Sequence, residues 1–216
     1  MILRGRRQQS NAMLYKLCSL FLLYPDAELL GARAEVSAAA ASLPSSSAAD
    51  SLREFCTWWE HEDPLALQQR YVETFDLDRR CSLYLTFYAQ GDTRDRGPAL
   101  LRLKRLYRAA GLPIADGELP DFLPAMLEFA AAAPAGQGEV VLREHRAGLE
   151  LLRQSLRERE HEYRHVLDAV CVTAGDLTAA DRARAIKIAA GGPPTEQVGL
   201  EPFGPPEIVP TTGARR

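Results

Sequence analysis

Residues 149–170 read LELLRQSLREREHEYRHVLDAV, and this stretch indicates the fold more clearly than any other part of the chain. Its apolar residues recur at intervals of three, four or seven positions: Leu149, Leu152, Leu156, Tyr163, Leu167 and Val170. That spacing places their side chains on one face of an α-helix, whereas a half-buried β-strand would alternate apolar and polar residues. The stretch therefore predicts helix.

The same periodicity continues outward from this stretch. Two further stripes have helical spacing: Leu67, Tyr71 and Phe75, and Leu100, Leu103 and Tyr107. No run of Val, Ile and Thr has the alternation that is typical of a strand. We therefore predict an all-α fold, a single-domain helical bundle of roughly ten helices.

Short polar and proline-containing signals mark where these helices begin and end. The predicted helix starts are Asp63-Pro64, the pair Ser51 and Glu54, and the pair Thr178 and Asp181. In each, a side-chain oxygen can accept a hydrogen bond from a free backbone amide of the first turn. Gly111 is the predicted end of the helix that carries Tyr107, because glycine tolerates the left-handed conformation after a helix.

Chain length and composition suggest one helical domain followed by a tail. The 216 residues, 46% of them hydrophobic, suffice for one sizeable core. We assign residues 1–190 to an all-helical domain and expect a serine-rich loop at 42–49. Residues 191–216 are rich in Pro and Gly, so a flexible tail, extended or disordered, is expected there.

The charge and the cysteines exclude several functional classes. A net charge of -3 without a basic stripe argues against a nucleic-acid partner. The four cysteines are widely separated and form no Cys-x-x-Cys pair, which argues against a zinc ribbon or a redox pair. They are expected to be reduced thiols in a cytoplasmic protein.

The N-terminal stretch resembles a secretory signal, because Arg4, Arg6 and Arg7 precede an apolar run at 13–23. Lys16 interrupts that run, which is also too short to span a bilayer. We therefore expect a core-facing first helix and no stable membrane insertion.

The segment His161-Glu162-Tyr163-Arg164-His165 matches the His-Glu-x-x-His pattern of zinc hydrolases. On a continuous helix, His161 and His165 would lie opposite the apolar stripe, on a solvated and charged face. No third ligand is evident in the sequence, although a catalytic zinc ion needs three protein ligands. A solvated helix face is therefore favoured, and a zinc hydrolase remains the less favoured alternative.

Four short motifs in the middle of the chain carry a family resemblance. They are Tyr71-Val72-Glu73-Thr74-Phe75-Asp76, Cys81-Ser82-Leu83-Tyr84-Leu85, Gly91-Asp92-Thr93-Arg94-Asp95-Arg96-Gly97 and Glu118-Leu119-Pro120-Asp121-Phe122-Leu123-Pro124. In this order they resemble the NarJ family, the delta subunit of respiratory nitrate reductase. That family belongs to the helical TorD-like molybdoenzyme chaperones.

The resemblance implies an assembly chaperone rather than an enzyme. It implies a cytoplasmic protein that binds the N-terminal segment of the apo catalytic (alpha) subunit of a nitrate reductase. Such a protein supports insertion of the molybdenum cofactor before membrane docking, and it binds no cofactor permanently. Two alternatives remain: a chaperone for another molybdoenzyme, or a helical regulatory module that binds a protein.

The resemblance also indicates candidate client-binding residues. They are Tyr71, Thr74, Phe75, Asp76, Ser82, Leu83, Phe87, Gly91, Asp92, Arg94 and Arg96, and Gly97 belongs to the same motif. Residues 82–88 are apolar on nearly all sides, which is typical of a helix that is central in a bundle or that lines a groove.

Two expectations follow for the arrangement of these residues. Tyr71, Phe75, Leu83 and Phe87 are expected to form an apolar client face. At the rim of this client face, the guanidinium groups of Arg94 and Arg96 could bind an anion. The alternative is that Asp92 or Thr93 caps a helix, while Arg94 and Arg96 pair with carboxylates of a neighbouring helix.

Overall fold

Twelve α-helices account for most of the described chain. The computed structural model describes residues 2–115, 117–134 and 136–190. The helices are α1 (Ile2–Phe21), α2 (Ala27–Gly31), α3 (Arg33–Ala41), α4 (Ser47–His61), α5 (Pro64–Tyr71), α6 (Leu85–Gln90), α7 (Arg96–Ala109), α8 (Leu123–Ala132), α9 (Gln137–Glu144), α10 (Arg146–Glu158), α11 (Arg164–Thr173) and α12 (Ala179–Ala190). The all-α prediction is confirmed, and the tail predicted at 191–216 lies outside the described residues.

Most of the predicted helix starts are confirmed at atomic detail. The Asp63 carboxylate accepts hydrogen bonds from the Leu65 and Ala66 amides at 2.9 and 3.1 Å. Thr178 and Asp181 exchange the two bonds of a capping box, and the amide of Asp181 lies 3.1 Å from the Thr178 hydroxyl. The two starts therefore follow from local sequence alone.

The start predicted from Ser51 and Glu54 is wrong. α4 begins earlier, because the Ser46 hydroxyl accepts the Ala49 amide at 3.2 Å and caps the helix there. Ser51 already lies inside the helix and donates its hydroxyl to the Ser47 carbonyl. The serine-rich loop is consequently shorter than expected, running from residue 42 to 46.

The first helix lies in the core of the bundle, as predicted. α1 buries Leu14, Tyr15, Leu17, Cys18 and Phe21, and it packs against α8 and α11. Within the residues that the structure describes, no helix combines the length and the apolar character needed to cross a membrane.

The apolar stripe at 149–170 belongs to two helices rather than one. All six stripe residues are buried, but α10 ends at Glu158 and α11 begins at Arg164. Glu160, in the connection, has a φ of 51°, a left-handed conformation that a helix cannot contain. The stripe therefore predicted correctly that these six residues are buried, but it did not predict the break between α10 and α11.

An aromatic cluster joins these two helices to the middle of the chain. The Tyr163 ring lies 5.3 Å from Phe55 on α4 and 4.9 Å from Phe75, measured between centroids. Phe55 in turn contacts Phe21 of α1 at 4.9 Å. Rings at such separations pack edge to face or tilted. The first of the four motifs is thereby fixed against the centre of the bundle.

The four cysteines are buried and free, as expected for reduced thiols. Burial raises the pKa of both Cys56 and Cys81 to about 11. A thiol with so high a pKa is protonated at neutral pH and reacts poorly, because the thiolate is the nucleophile. These cysteines therefore belong to the packing of the core.

Candidate functional site

The motif at 71–76 forms a π-helix that continues α5. The Leu77 amide donates to the Val72 carbonyl at 3.0 Å, a bond that spans five residues instead of four. Tyr71, Thr74 and Phe75 are buried, and the Tyr71 hydroxyl donates to the Leu22 carbonyl at 3.1 Å. Asp76, at the end of the π-helix, is exposed. The wider turn thus directs three motif side chains into the bundle.

Thr74 forms a hydrogen bond with His161, although the sequence predicted that His161 faces solvent. The Thr74 hydroxyl and His161 Nε2 are 2.9 Å apart, and the imidazole stacks on the Tyr163 ring with centroids 5.4 Å apart. The solvent-facing prediction for His161 is therefore wrong. It assumed a continuous helix, whereas His161 lies in the turn between α10 and α11.

The two histidines of the His-Glu-x-x-His segment have separate partners. His165 Nδ1 lies 3.0 Å from a Glu54 carboxylate oxygen on α4, and its side chain is 17% exposed. Because His161 lies before the first turn of α11, the pair does not share one helical face. No group of three His, Cys, Asp or Glu residues in the described ranges could hold a metal ion.

The partly buried position of His161 predicts a loss of stability in mild acid. Burial, followed by the guanidinium groups of Arg70, Arg164 and Arg159, lowers the pKa of His161 to about 4. Between this value and about 6.5, the usual pKa of histidine, the unfolded chain binds a proton that the folded chain excludes. The free energy of unfolding must therefore fall as the pH falls through this window.

We expect His161→Gln to remove about 2 kcal/mol of this acid-dependent loss, an amount reduced for the partial exposure of the ring. Urea unfolding at neutral pH and at a pH near the lowered pKa of His161 measures this difference in the free energy of unfolding. Some slope remains, because burial also lowers the pKa of His145. His61→Gln, at an exposed position, is the control, and an unchanged slope in His161→Gln would contradict the assignment.

Asp121 is the residue that connects three of the four motifs. Its side chain is completely buried, and one carboxylate oxygen accepts hydrogen bonds from the Thr86 hydroxyl and from the Arg96 guanidinium, the latter at 3.1 Å. Arg96 also donates to Asp92 at 3.2 Å and to the Thr86 hydroxyl at 3.1 Å. Asp121 was not among the site residues predicted from the sequence, so its role as the centre of this ion pair was missed.

The backbone reinforces this connection. Tyr84 and Phe122 form an isolated antiparallel bridge, in which the Leu85 amide donates to the Asp121 carbonyl and the Leu123 amide to the Leu83 carbonyl, at 2.9 and 2.8 Å. Tyr84 is therefore extended rather than helical, and α6 begins at Leu85, three residues after the start of the apolar stretch at 82–88. The second and fourth motifs are locked together at this point.

The apolar face predicted from Tyr71, Phe75, Leu83 and Phe87 is not a surface in this structure. These four side chains are between 3% and 8% exposed. Of the two arrangements predicted for residues 82–88, the central position in the bundle is the observed one. Their contact with a client stays a prediction.

Two further candidate residues, Ser82 and Gly91, have roles in the local backbone structure. The Ser82 hydroxyl accepts the Tyr84 amide at 3.2 Å, and Gly91 ends α6 with a φ of 60°. Neither Asp92 nor Thr93 caps α7, which begins after Asp95 without a side-chain cap.

The two arginines predicted at the rim have different surroundings. The guanidinium of Arg96 is occupied by Asp92 and Asp121, as the alternative interpretation expected, although Asp121 precedes α8 instead of lying on a helix. Arg94 is exposed. The pair therefore offers one accessible guanidinium rather than two.

An apolar groove opens beside the fourth motif. It has a volume of about 570 Å³ and lies between the end of α1, residues 111–115 and Glu118 after α7, and α8. Its apolar lining includes Leu23, Leu112, Ile114, Phe122, Ala125 and Phe129. The floor is rigid, because the Tyr107 hydroxyl donates to the Pro120 carbonyl at 2.8 Å and the rings of Tyr107 and Phe129 lie 4.4 Å apart.

Carboxylates stand at the edge of this groove. Glu118 and Glu128 both line it, and Glu128 is paired with Lys16 at 2.6 Å on the outer side. Phe122 joins the groove to the second motif, because its ring lies 5.3 Å from that of Tyr84. The sequence did not predict the groove, since its walls come from segments about a hundred residues apart. An apolar lining with a few polar groups at the edge is typical of a site for an amphipathic segment.

Comparison with known proteins supports the resemblance. Residues 39–168 match the family described as nitrate reductase delta subunit. The nitrate reductase-like protein NarX of Mycobacterium tuberculosis is 38% identical over 165 residues, 76% of this chain but only 24% of that protein. The nitrate reductase molybdenum cofactor assembly chaperone NarJ of Escherichia coli K12 is 35% identical over 76% of this chain and 70% of that protein.

Two further relatives agree with these matches. A NarJ protein of Bacillus subtilis is 32% identical over 69% of this chain and 81% of its own length. A crystal structure from Archaeoglobus fulgidus, described as a redox enzyme maturation protein, covers 74% of this chain and 91% of its own, with 25% identity and a TM-score of 0.55. With three of the four motifs joined around Asp121 and the family match spanning more than half of its length, this chain belongs to the nitrate reductase delta subunit family.

Proposed function

We propose that this protein is a cytoplasmic assembly chaperone for a respiratory nitrate reductase. It binds the N-terminal segment of the apo catalytic subunit and supports insertion of the molybdenum cofactor before that subunit docks on the membrane. It neither holds the cofactor permanently nor catalyses a reaction. The family match and the relatives that are named assembly chaperones support this proposal.

The apolar groove beside the fourth motif is the observation that carries the mechanism. Its half-exposed walls, Leu23, Ile114 and Phe122, give an apolar segment a contact surface without unfolding the core. Glu118 at the edge favours basic residues on the same segment, because opposite charges steer association. Tyr71 contacts Tyr24, just after α1, with ring centroids 5.5 Å apart, and its hydroxyl donates to the carbonyl of Leu22, the residue before Leu23 in the groove wall.

Binding of this kind is expected to be reversible. A terminal segment that becomes ordered on binding loses conformational entropy, which lowers the affinity gained per unit of buried area. Coverage of the segment would prevent its aggregation and its early docking on the membrane anchor. Release would then need no chemical step on the chaperone.

The client can be identified by capture from cells grown without oxygen and with nitrate. Immobilised protein is expected to retain a nitrate reductase catalytic subunit that lacks the molybdenum cofactor, which mass spectrometry and molybdenum analysis identify. Retention of a different molybdoenzyme subunit would overturn the nitrate reductase assignment. Retention of only mature, cofactor-loaded enzyme would contradict the proposed order of events.

The groove can be tested with a synthetic peptide of the client N-terminus. We expect Ile114→Ala to weaken binding about thirtyfold, because truncation of a packed anchor costs about 2 kcal/mol. Calorimetric titration at low and high salt measures this, and salt should have little effect, because screening mainly weakens exposed charge pairs.

Leu77→Ala is the matched control, since Leu77 is 73% exposed and does not line the groove. Both variants are first compared with the parent protein by thermal melting. The site would instead lie at the arginine motif at 91–97 under two results. The two variants would bind the peptide equally well, and the affinity would fall strongly in Arg94→Ala and at moderate salt.

A further inference from the structure

The solvent face of α7 carries a cluster of positive charge that the proposed client site does not use. At 3.6 residues per turn, five exposed residues of this helix lie within an arc of about 160°. They are Leu101, Arg102, Lys104, Arg105 and Arg108. The opposite side of the helix is buried through Leu103 and Tyr107. We call the five exposed residues the α7 basic face.

Most of this positive charge is not neutralised by the protein itself. Among the residues that the structure describes, the side chains of Lys104, Arg105 and Arg108 form no hydrogen bond or ion pair. Arg102 is paired with Glu144 of α9 at 2.7 Å, at one border of the face. Asp92 and Asp95 precede the helix, and none of the five residues of the face is a carboxylate.

The form of this face favours a flat anionic partner. It is the solvent-exposed side of α7, and its residues line none of the grooves at 10–48, 107–132 or 157–168. Leu101, which is 49% exposed, stands at its centre, an arrangement typical of helices that lie in the interface of a membrane. Clusters of four or more Lys and Arg residues on an amphipathic helix bind anionic lipids.

A nucleic-acid partner fits the same face less well. Single-stranded nucleic acid is bound by aromatic side chains that stack on bases, and the α7 basic face has none. Phosphate contacts alone would give only non-specific binding. The net charge of the protein is -3, so the rest of the molecule is repelled by a negative surface. This repulsion orients the cationic face of α7 toward that surface.

We propose that the α7 basic face binds anionic phospholipid headgroups and holds the protein reversibly at a membrane surface. The contact is peripheral: the cations pair with phosphate groups and Leu101 enters the headgroup region. It uses a different side of the molecule from the apolar groove, so it is independent of the proposed client. A protein held in this way would be close to a membrane without inserting a helix.

Vesicle sedimentation of the full chain tests the proposal. Vesicles of phosphatidylcholine with an equal amount of phosphatidylglycerol are expected to bind the protein, and vesicles of phosphatidylcholine alone are not. Each cation near the surface contributes about a fivefold factor, so Arg105→Gln/Arg108→Gln should weaken binding about twenty-five-fold. Rising salt should release the protein, because it screens the charges.

The matched control is Arg182→Gln/Lys187→Gln on α12, which removes the same net charge from exposed positions of another helix. Its binding should stay within about twofold of the parent protein. An equal loss in both double variants would overturn the assignment to α7, as would absent binding to the anionic vesicles. Equally tight, salt-sensitive binding to polyuridylate would instead identify a general polyanion site and overturn the lipid proposal.

Discussion

Asp121→Ala is expected to destabilise the protein by about 3 kcal/mol or more, because it leaves Arg96 without its buried partner. The Asp121 side chain is fully buried, whereas that of Arg96 is 17% exposed. The substitution also removes the acceptor of the Thr86 amide and hydroxyl. Buried donors that lose their acceptor carry an additional penalty, since water does not replace it.

Urea unfolding of Asp121→Ala and Asp92→Ala separates the buried pair from the exposed one. Asp92 is the second carboxylate on Arg96, but its side chain is 30% exposed, so its removal should cost under about 1 kcal/mol. Asp121→Asn keeps the shape and should lie between the two. Similar losses in Asp92→Ala and Asp121→Ala would contradict the central role given to Asp121.

Gly138→Ala is expected to cost about 3 kcal/mol, the upper part of the range for overpacked sites. α8 and α9 cross so closely at Gly138 that an added Cβ atom would lie 2.2 Å from the Ala130 Cα atom and 2.9 Å from its carbonyl oxygen. Because both contacts are with backbone, no side-chain rotation relieves them. The two helices must separate, which disturbs the wall of the apolar groove that α8 provides.

Gly97→Ala is the control for this substitution. Gly97 lies in the first turn of α7, and an added Cβ atom there would meet no atom within 4 Å. Alanine should be neutral or stabilising at Gly97 by up to about 1 kcal/mol, since it favours helix over the unfolded chain. Thermal unfolding measures both variants, and a melting temperature for Gly138→Ala near that of the parent would contradict the close crossing.

The helical class of the protein was accessible from sequence because it depends on local spacing. Apolar residues three or four apart bury one side of a helix in any bundle, and the six stripe residues at 149–170 are all buried. Helix starts such as Asp63-Pro64 were accessible for the same reason, since an N-cap bond spans only two or three residues. The motifs indicated the family because they lie in the right order along the chain.

Predictions were less accurate where they depended on contacts between residues that are far apart in the chain. The helical wheel placed His161 in solvent, and the wheel could not include the turn that places it against Thr74 and Tyr163. Likewise, Tyr71, Phe75, Leu83 and Phe87 were correctly recognised as apolar. Whether an apolar side chain lines a groove or fills the core depends on what covers it. Here Tyr163, just before α11, covers Tyr71 and Phe75, and α10 packs against the helix that carries Phe87.

The helical bundle, the nitrate reductase delta subunit family and the inward direction of the apolar stripes are all evident from the order and spacing of residues along the chain. The surfaces that we propose as binding sites emerge from the packing of the helices. The pairing of Asp121 with Arg96 and the apolar groove each combine residues that are distant in the chain. The residues of the α7 basic face share one helix, but which side of that helix is exposed depends on the elements that cover the other side. Local spacing fixes which residues are buried, because a helix repeats every few residues. Surfaces are set by which helices meet, and that is a property of the packed bundle.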